Sequence, residues 1–256
     1  MILTINIGNT NITLGGFVEG QLAFSARLAS VKAATADEYA VRIGGVLGLH
    51  HVEPGQVEGA ILGSVVPSLT GPIKTALEML YGVRVRTVGP GLKSGLPLRI
   101  DNPSELGAEL LCGAVAALQV HKPPLVLIHM DTACSMMAVN AAGQLVGGVI
   151  STGPYLALNT LVRHASQLPH VDVDSPAGNI IATNTAASMQ AGAVLGTAAM
   201  IDGLMARFRA ELGEETAAIA TGQFPEGIRS ACTCGIEYRE DLILQGLYMI
   251  WKKNTR

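Results

Sequence analysis

The tripeptide Gly-Gln-Leu occurs at Gly20-Gln21-Leu22 and again at Gly143-Gln144-Leu145, and each copy closes the same run of elements. In the first run ILTINI reads as a strand, NITLGGFV as a second, and Glu19-Gly20 as a tight turn into QLAFSARLA, with glycine supplying the positive φ such a turn needs. In the second run PLVLIHMD is a strand, DTACSMM a small-residue loop entering another strand, and NAAGQLVGGVI a turn followed by a third. Three shared residues carry little weight alone. The shared order of strand, small-residue loop, strand and hairpin is what points to duplication.

The segments after each meander extend the pattern. Thr35 caps a helix whose N3 position is Glu38, a capping box, and the helix runs through Tyr39, Val41 and Ile43 toward Leu49. VEGAILGSVV reads as a buried strand, PSLTGPIKTALEML as a helix despite Pro72, VRVRTV as a strand, and SELGAELLCGAVAALQV as a helix capped by Ser104. The second half continues with helices over about 153–166 and 184–212, a strand AAIATG, and a last helix DLILQGLYMIWKK. Strands alternating with helices at this spacing predict an α/β fold of two similar domains, 1–121 and 122–256, meeting at a cleft that both meander loops face.

With 49% hydrophobic and 14% charged residues in a chain of 256, a large core is available and disorder is excluded. The net charge is −3, and no basic run exceeds Lys252-Lys253, which argues against a nucleic-acid partner and for small metabolic ligands. The N-terminus lacks a basic n-region and a cleavage site, and no apolar stretch reads as a membrane span, so a cytoplasmic protein without membrane attachment is expected. Cys112, Cys134, Cys232 and Cys234 include one C-x-C pair but no C-x-x-C, which speaks against structural zinc and a disulfide framework. His50-His51 reads as a helix end, and Cys134 as a buried core thiol ahead of a reactive one.

Several ordered motifs carry a family likeness. NIGNTN spans Asn6 to Asn11, TADEY spans Thr35 to Tyr39, and SVVP spans Ser64 to Pro67. GPGLKSGLPLRIDNPSELGAE runs from Gly89 to Glu109, VGGVI from Val146 to Ile150, NTAASMQ from Asn184 to Gln190, and IATG from Ile219 to Gly222. With the ending LILQGLYMIWKKN, the chain resembles the type III pantothenate kinases along essentially its whole length. The resemblance implies a duplicated RNase-H-like fold of the actin-like ATPase kind, each domain a mixed sheet with helices. It further implies a homodimer and transfer of the γ-phosphoryl of ATP to the terminal hydroxyl of pantothenate with Mg²⁺, a monovalent cation being a further candidate cofactor.

Carried over residue by residue, the resemblance makes Glu109 the general base and assigns Asn6, Gly8, Asn9, Thr10, Asn11, Asp131, Thr132 and Cys134 to nucleotide binding. It assigns Gly107 and Thr185 to substrate binding and Asp131 to the metal. The departures fall on polar working positions. Asn6 stands for the first-loop Asp, Glu109-Leu110 for the Asp-Arg of G-A-D-R, and Asp131 to Met136 for the second-loop D-F-G-T-A-T. Ala34, Thr183 and Gln223 replace an Arg, an Arg and a Gly. An amide removes the charge that binds a hard cation, and leucine cannot replace guanidinium. The expectation is a catalytically impaired member with weak ATP and Mg²⁺ binding and a regulatory or binding role. The alternative is an active kinase using Asp131 for the cation and Glu109 as base.

Overall fold

The computed structural model describes residues 1–255 and divides into two compact units. The first comprises Met1–Leu96, Asp101–Ala116 and the segment from Asp241 onward; the second comprises Pro97–Ile100 and Ala117–Glu240.

In the first unit β1 (Ile2–Ile7), β2 (Asn11–Val18) and β3 (Gln21–Ala29) form the expected meander, and β4 (Gly59–Ser64) and β5 (Val85–Thr87) extend it in the order β3-β2-β1-β4-β5. β1 is antiparallel to β2 and parallel to β4. At the hairpin Glu19 and Gly20 have φ of 51° and 91°, the pair of left-handed residues that a two-residue turn matched to strand twist requires. Helices cover both faces of β1, so all six of its residues are shielded although Thr4 and Asn6 interrupt the apolar residues. Leu3, Ile5 and Ile7 join the core with Tyr39, Ile43 and Leu47 of α1 (Ala36–Leu49) and Leu69, Ile73 and Leu77 of α2 (Pro67–Tyr81). On the other face Ile2 packs with Phe17, Ile61 and Cys112 against Leu244, Leu247 and Ile250 of the C-terminal helix, Leu242–Asn254. Thr4 and Asn6 share that second face and are both buried.

Thr35 caps α1 as expected, its hydroxyl accepting from Glu38 N–H while the Glu38 carboxylate accepts from Thr35 N–H. Thr35→Ala should therefore lower stability by about 1 kcal/mol in chemical denaturation, the usual value of such a cap. His50 ends the helix and stacks on Phe24 at 4.6 Å. Ser104 does not open the next helix. It sits in a short 3₁₀ turn, Pro103–Glu105, capped by Asn102, and α3 runs from Ala108 to Val120.

The second unit repeats the plan with β6 (Leu125–Met130), β7 (Ala133–Val139), β8 (Leu145–Thr152), β9 (Ala217–Gly222) and β10 (Ile236–Tyr238), ordered β10-β9-β6-β7-β8. β6 is antiparallel to β7 and parallel to β9, as β1 is to β2 and β4. α4 (Pro154–His164) and α5 (Thr185–Leu212) fall where the sequence placed them, whereas α6 (Glu226–Ala231) and β10 were not expected. The C-terminal helix is α7 in chain order. By length and composition α5 is apolar enough to cross a membrane, which the sequence reading did not anticipate. Its Ala191, Val194, Ala198, Ile201 and Met205 are buried at heptad-like spacing, the last four in the core of the second unit.

Candidate functional site

The first meander loop is held by its own backbone. Gly8 N–H donates to the Asn11 carbonyl at 2.9 Å, Ser30 N–H donates to the Thr10 carbonyl at 2.9 Å, and the Ser30 hydroxyl donates to the Gly8 carbonyl at 2.6 Å. Asn9 and Thr10 are exposed at its tip, and Asn11 begins β2. Asn6 lies one residue before the end of β1, where pleating turns it onto the face shared with α3. There its Nδ2 donates to Oε1 of Glu109 at 2.9 Å, and both side chains are buried at 8% exposure. Glu109 occupies the first turn of α3, where unsatisfied N–H groups favour a carboxylate. The Asn6 Oδ1 atom is buried without a hydrogen-bond partner. Gly107 precedes α3, and its carbonyl accepts from Leu111 N–H.

Two residues expected from different motifs, Asn6 and Glu109, thus meet in one contact. The contact also tests whether a divalent ion fits. Mg²⁺ takes charged, hard oxygen ligands. Asn6 offers one neutral oxygen, the facing carboxylate already accepts the amide, and among the described residues no group of three His, Cys, Asp or Glu is placed to hold a metal. At this contact a hard cation would meet one carboxylate and one neutral amide oxygen, a lower charge than two carboxylates would supply.

In the second unit the pairing register relocates the counterpart of Asn6. Asn6 pairs across with Thr13 and Gly63, one residue before β1 ends. The residue with the same place in β6 is His129, paired with Ser135 and Thr221. Met130 then corresponds to Ile7 and Asp131 to Gly8. Both family motifs open on Asp-x-Gly, so the register lays D-F-G-T-A-T on His129-Met130-Asp131-Thr132-Ala133-Cys134. This corrects the sequence reading by two residues: Thr132 and Ala133 match the motif, and the carboxylate position holds an imidazole. The spacing from Gly20 to Gly143, applied to Asn6, lands on His129 and would have found it.

His129, Ser135 and Thr221 are buried, and burial holds the imidazole below its ordinary pKa while the Asp131 carboxylate pulls the other way. Asp131 and Thr132 form the β6–β7 turn, partly exposed, with Asp131 N–H donating to the Ala133 carbonyl and the Thr132 carbonyl accepting from Gly153 N–H. A Cβ on Gly153 would lie 2.1 Å from the Asp131 carbonyl oxygen, so glycine is required for this loop to sit over the start of α4. The Cys134 side chain packs in the core of the second unit, and burial pushes its thiol up to about 11. Cys232 and Cys234 are also free thiols raised to about 12 by burial, beside Asp202, which accepts from Thr233 and Cys234 N–H groups. Thr185 is the first residue of α5, exposed and lining a cavity within the second unit.

Comparison with known proteins agrees with the motifs. Residues 2–207 match the family model of type III pantothenate kinase. A type III pantothenate kinase of Solibacter usitatus is 37% identical over 99% of this chain and 97% of its own length. One from Rhodospirillum centenum is 39% identical over 100% and 99%. Among solved structures, component A of (R)-2-hydroxyglutaryl-CoA dehydratase from Acidaminococcus fermentans superposes with a TM-score of 0.57 at 16% identity, covering 99% of both chains. The ROK hexokinase of Thermus thermophilus gives 0.53 at 15% identity, covering 97% of both. At such identities these two speak for the fold alone, a duplicated RNase-H-like architecture. Family model, full-length relatives and fold agree, and the chain belongs to the type III pantothenate kinase family.

Proposed function

We propose that this chain is a catalytically impaired member of its family, a homodimeric cytoplasmic protein that retains the fold and a ligand-binding or regulatory role. The observation that carries the reading is the buried contact between Asn6 and Glu109. Phosphoryl transfer relies on positioning and on charge placed against the phosphates, with a cation between carboxylate and phosphate oxygens. At the first loop the carboxylate is an amide whose N–H is committed to the general-base candidate. At the matching position of the second loop stands a buried imidazole. Leu110 follows Glu109 where an arginine would meet an anion, and a leucine offers no donor. Binding of ATP with Mg²⁺ is correspondingly weak, and Gly107 and Thr185 keep part of the pantothenate side.

A second reading, an active ATP-dependent pantothenate kinase, is favoured by the same hydrogen bond, because an amide that orients Glu109 could also hold a base in register. Measurement of ADP release from purified protein with ATP, Mg²⁺ and pantothenate separates the two. Turnover is expected below about 0.01 s⁻¹, against the roughly 1–100 s⁻¹ ordinary for kinases. A rate of about 1 s⁻¹ or more would overturn the impaired reading and leave Glu109 and Asp131 sufficient for the chemistry.

A further inference from the structure

Among the described residues each sheet has two edges, and three of these are short or met by the chain itself. β5 and β10 are each three residues long. At β8, the counterpart of β3, Leu98 bridges to Leu145, Leu145 N–H donates to the Pro97 carbonyl, and Arg99 N–H donates to the Leu145 carbonyl. β3 is nine residues long, and among the described residues no strand pairs with its outer side. Its sequence QLAFSARLA holds no proline and no lysine, residues that commonly blunt an edge. The one register shift, opposite Gly16 and Phe17, lies toward the hairpin end and leaves Phe24 to Ala29 regular.

The register fixes which groups are open. Ser30 N–H donates to the Thr10 carbonyl at 2.9 Å, and bonded pairs recur at every second position, so Leu28 and Ala26 also bond to β2. The N–H and C=O groups of Ser25, Arg27 and Ala29 therefore turn to the outer side. The same three side chains are exposed, whereas Phe24, Ala26 and Leu28 are half-buried at the rim of the first unit's core. His50 stacks on Phe24, and its neighbour Leu49 is 78% exposed, so apolar surface borders the edge on the core side.

We propose that β3 pairs antiparallel with β3 of a second copy of this chain, joining two five-stranded sheets into one. The strand is its own complement in one register. With Ala26 on the two-fold axis, Phe24 faces the partner's Leu28 on the core side and Ser25 faces the partner's Arg27 on the exposed side. Aromatic and aliphatic side chains set opposite each other stabilise such a ladder. Centring on Arg27 would oppose like charges, and centring on Ser25 would set Phe24 against alanine. A foreign peptide would have to bring the matching residues, and a second copy already has them. The proposal gives a surface to the homodimer of the reading above and rests on that clause of it, not on the state of the phosphoryl chemistry.

Sedimentation velocity of the full chain over a wide concentration range tests it. Ser25→Pro removes an outward N–H and no bond to β2, so association should weaken at least about tenfold with the far-ultraviolet spectrum unchanged. Ser25→Lys, facing the partner's Arg27, should weaken association about threefold, and Ser25→Glu should strengthen it by a similar factor. Ala26→Cys, treated with diamide, should join to its own copy across the axis and run as a covalent dimer on a non-reducing gel, which the parent with its four free thiols should not. A parent that stays monomeric at every concentration overturns both this proposal and the homodimer reading. A dimer indifferent to all three Ser25 variants and without the cross-link overturns this proposal alone. Equal weakening by Ser25→Lys and Ser25→Glu overturns the register, and the proposal with it.

Discussion

Asn6→Asp is expected to destabilise the first unit by about 3 kcal/mol at neutral pH, the range found when a buried charge is left uncompensated. Aspartate has the shape of asparagine, so no cavity or clash arises, and the effect is electrostatic. The Asn6 amide nitrogen lies 2.9 Å from the Glu109 carboxylate, and the variant sets a second carboxylate at that spacing in a buried site. Two like charges so placed cannot both ionise, and the pair retains one proton in the folded state. The folded state then binds more protons than the unfolded, so the penalty is absent in acid and grows as pH rises through the carboxyl range. Two additions should remove it. Millimolar Mg²⁺ gains the charged oxygens that the parent lacks, and Glu109→Gln in the same chain restores an amide–carboxylate contact with the partners exchanged. Denaturant unfolding at acid and alkaline pH, with and without Mg²⁺, reads all of this. Stability of Asn6→Asp that is indifferent to both pH and Mg²⁺ would mean that the Asn6–Glu109 contact does not exist as described.

Gly246→Ala is expected to cost about 3 kcal/mol or more, the upper range of overpacking, because the obstacle is backbone rather than a side chain able to move. A Cβ there would lie 1.9 Å from the Cys112 carbonyl oxygen, 2.5 Å from its carbon and 2.9 Å from its Cα. α7 and α3 must separate to admit a methyl group, which loosens the cluster of Ile2, Phe17, Ile61 and Leu247. Gly45→Ala, on α1 where a Cβ meets nothing within 4 Å, is the control and should be neutral or stabilising by up to about 1 kcal/mol. Equal melting temperatures for the two variants would refute the close approach.

Much of the fold is legible in the residues. β1, β2, β3 and β9 begin and end where the pattern and its punctuation place them, and the Thr35–Glu38 box and the Glu19-Gly20 turn have the chemistry their geometry demands. α6 and β10 are short, six and three residues, too brief for a periodic signal. The pairing of Asn6 with Glu109 was not legible because it joins a strand to a helix 103 positions away. The second loop was misplaced for a physical reason too. β6 is buried along its whole length, so no polar alternation marks which residue faces which side, and the nearest aspartate drew the motif two places onward. Only the ladder to β7 and β9 identifies His129.

α7 closes a face that also holds Ile2, Phe17 and Ile61 from the first quarter of the chain and Cys112 from α3. On the ribosome, at about 5–20 residues per second, everything between α3 and α7 is synthesised first, an interval on the order of ten seconds. When residue 240 has been added, the second face of the early meander still lacks α7, while every segment of the later unit has been synthesised. Translation therefore reverses the order of the map: the later-encoded half can finish first, and the earlier one waits for its lid. A stop codon placed before residue 241 would spare the unit adjacent to it and injure the one farthest away in the message.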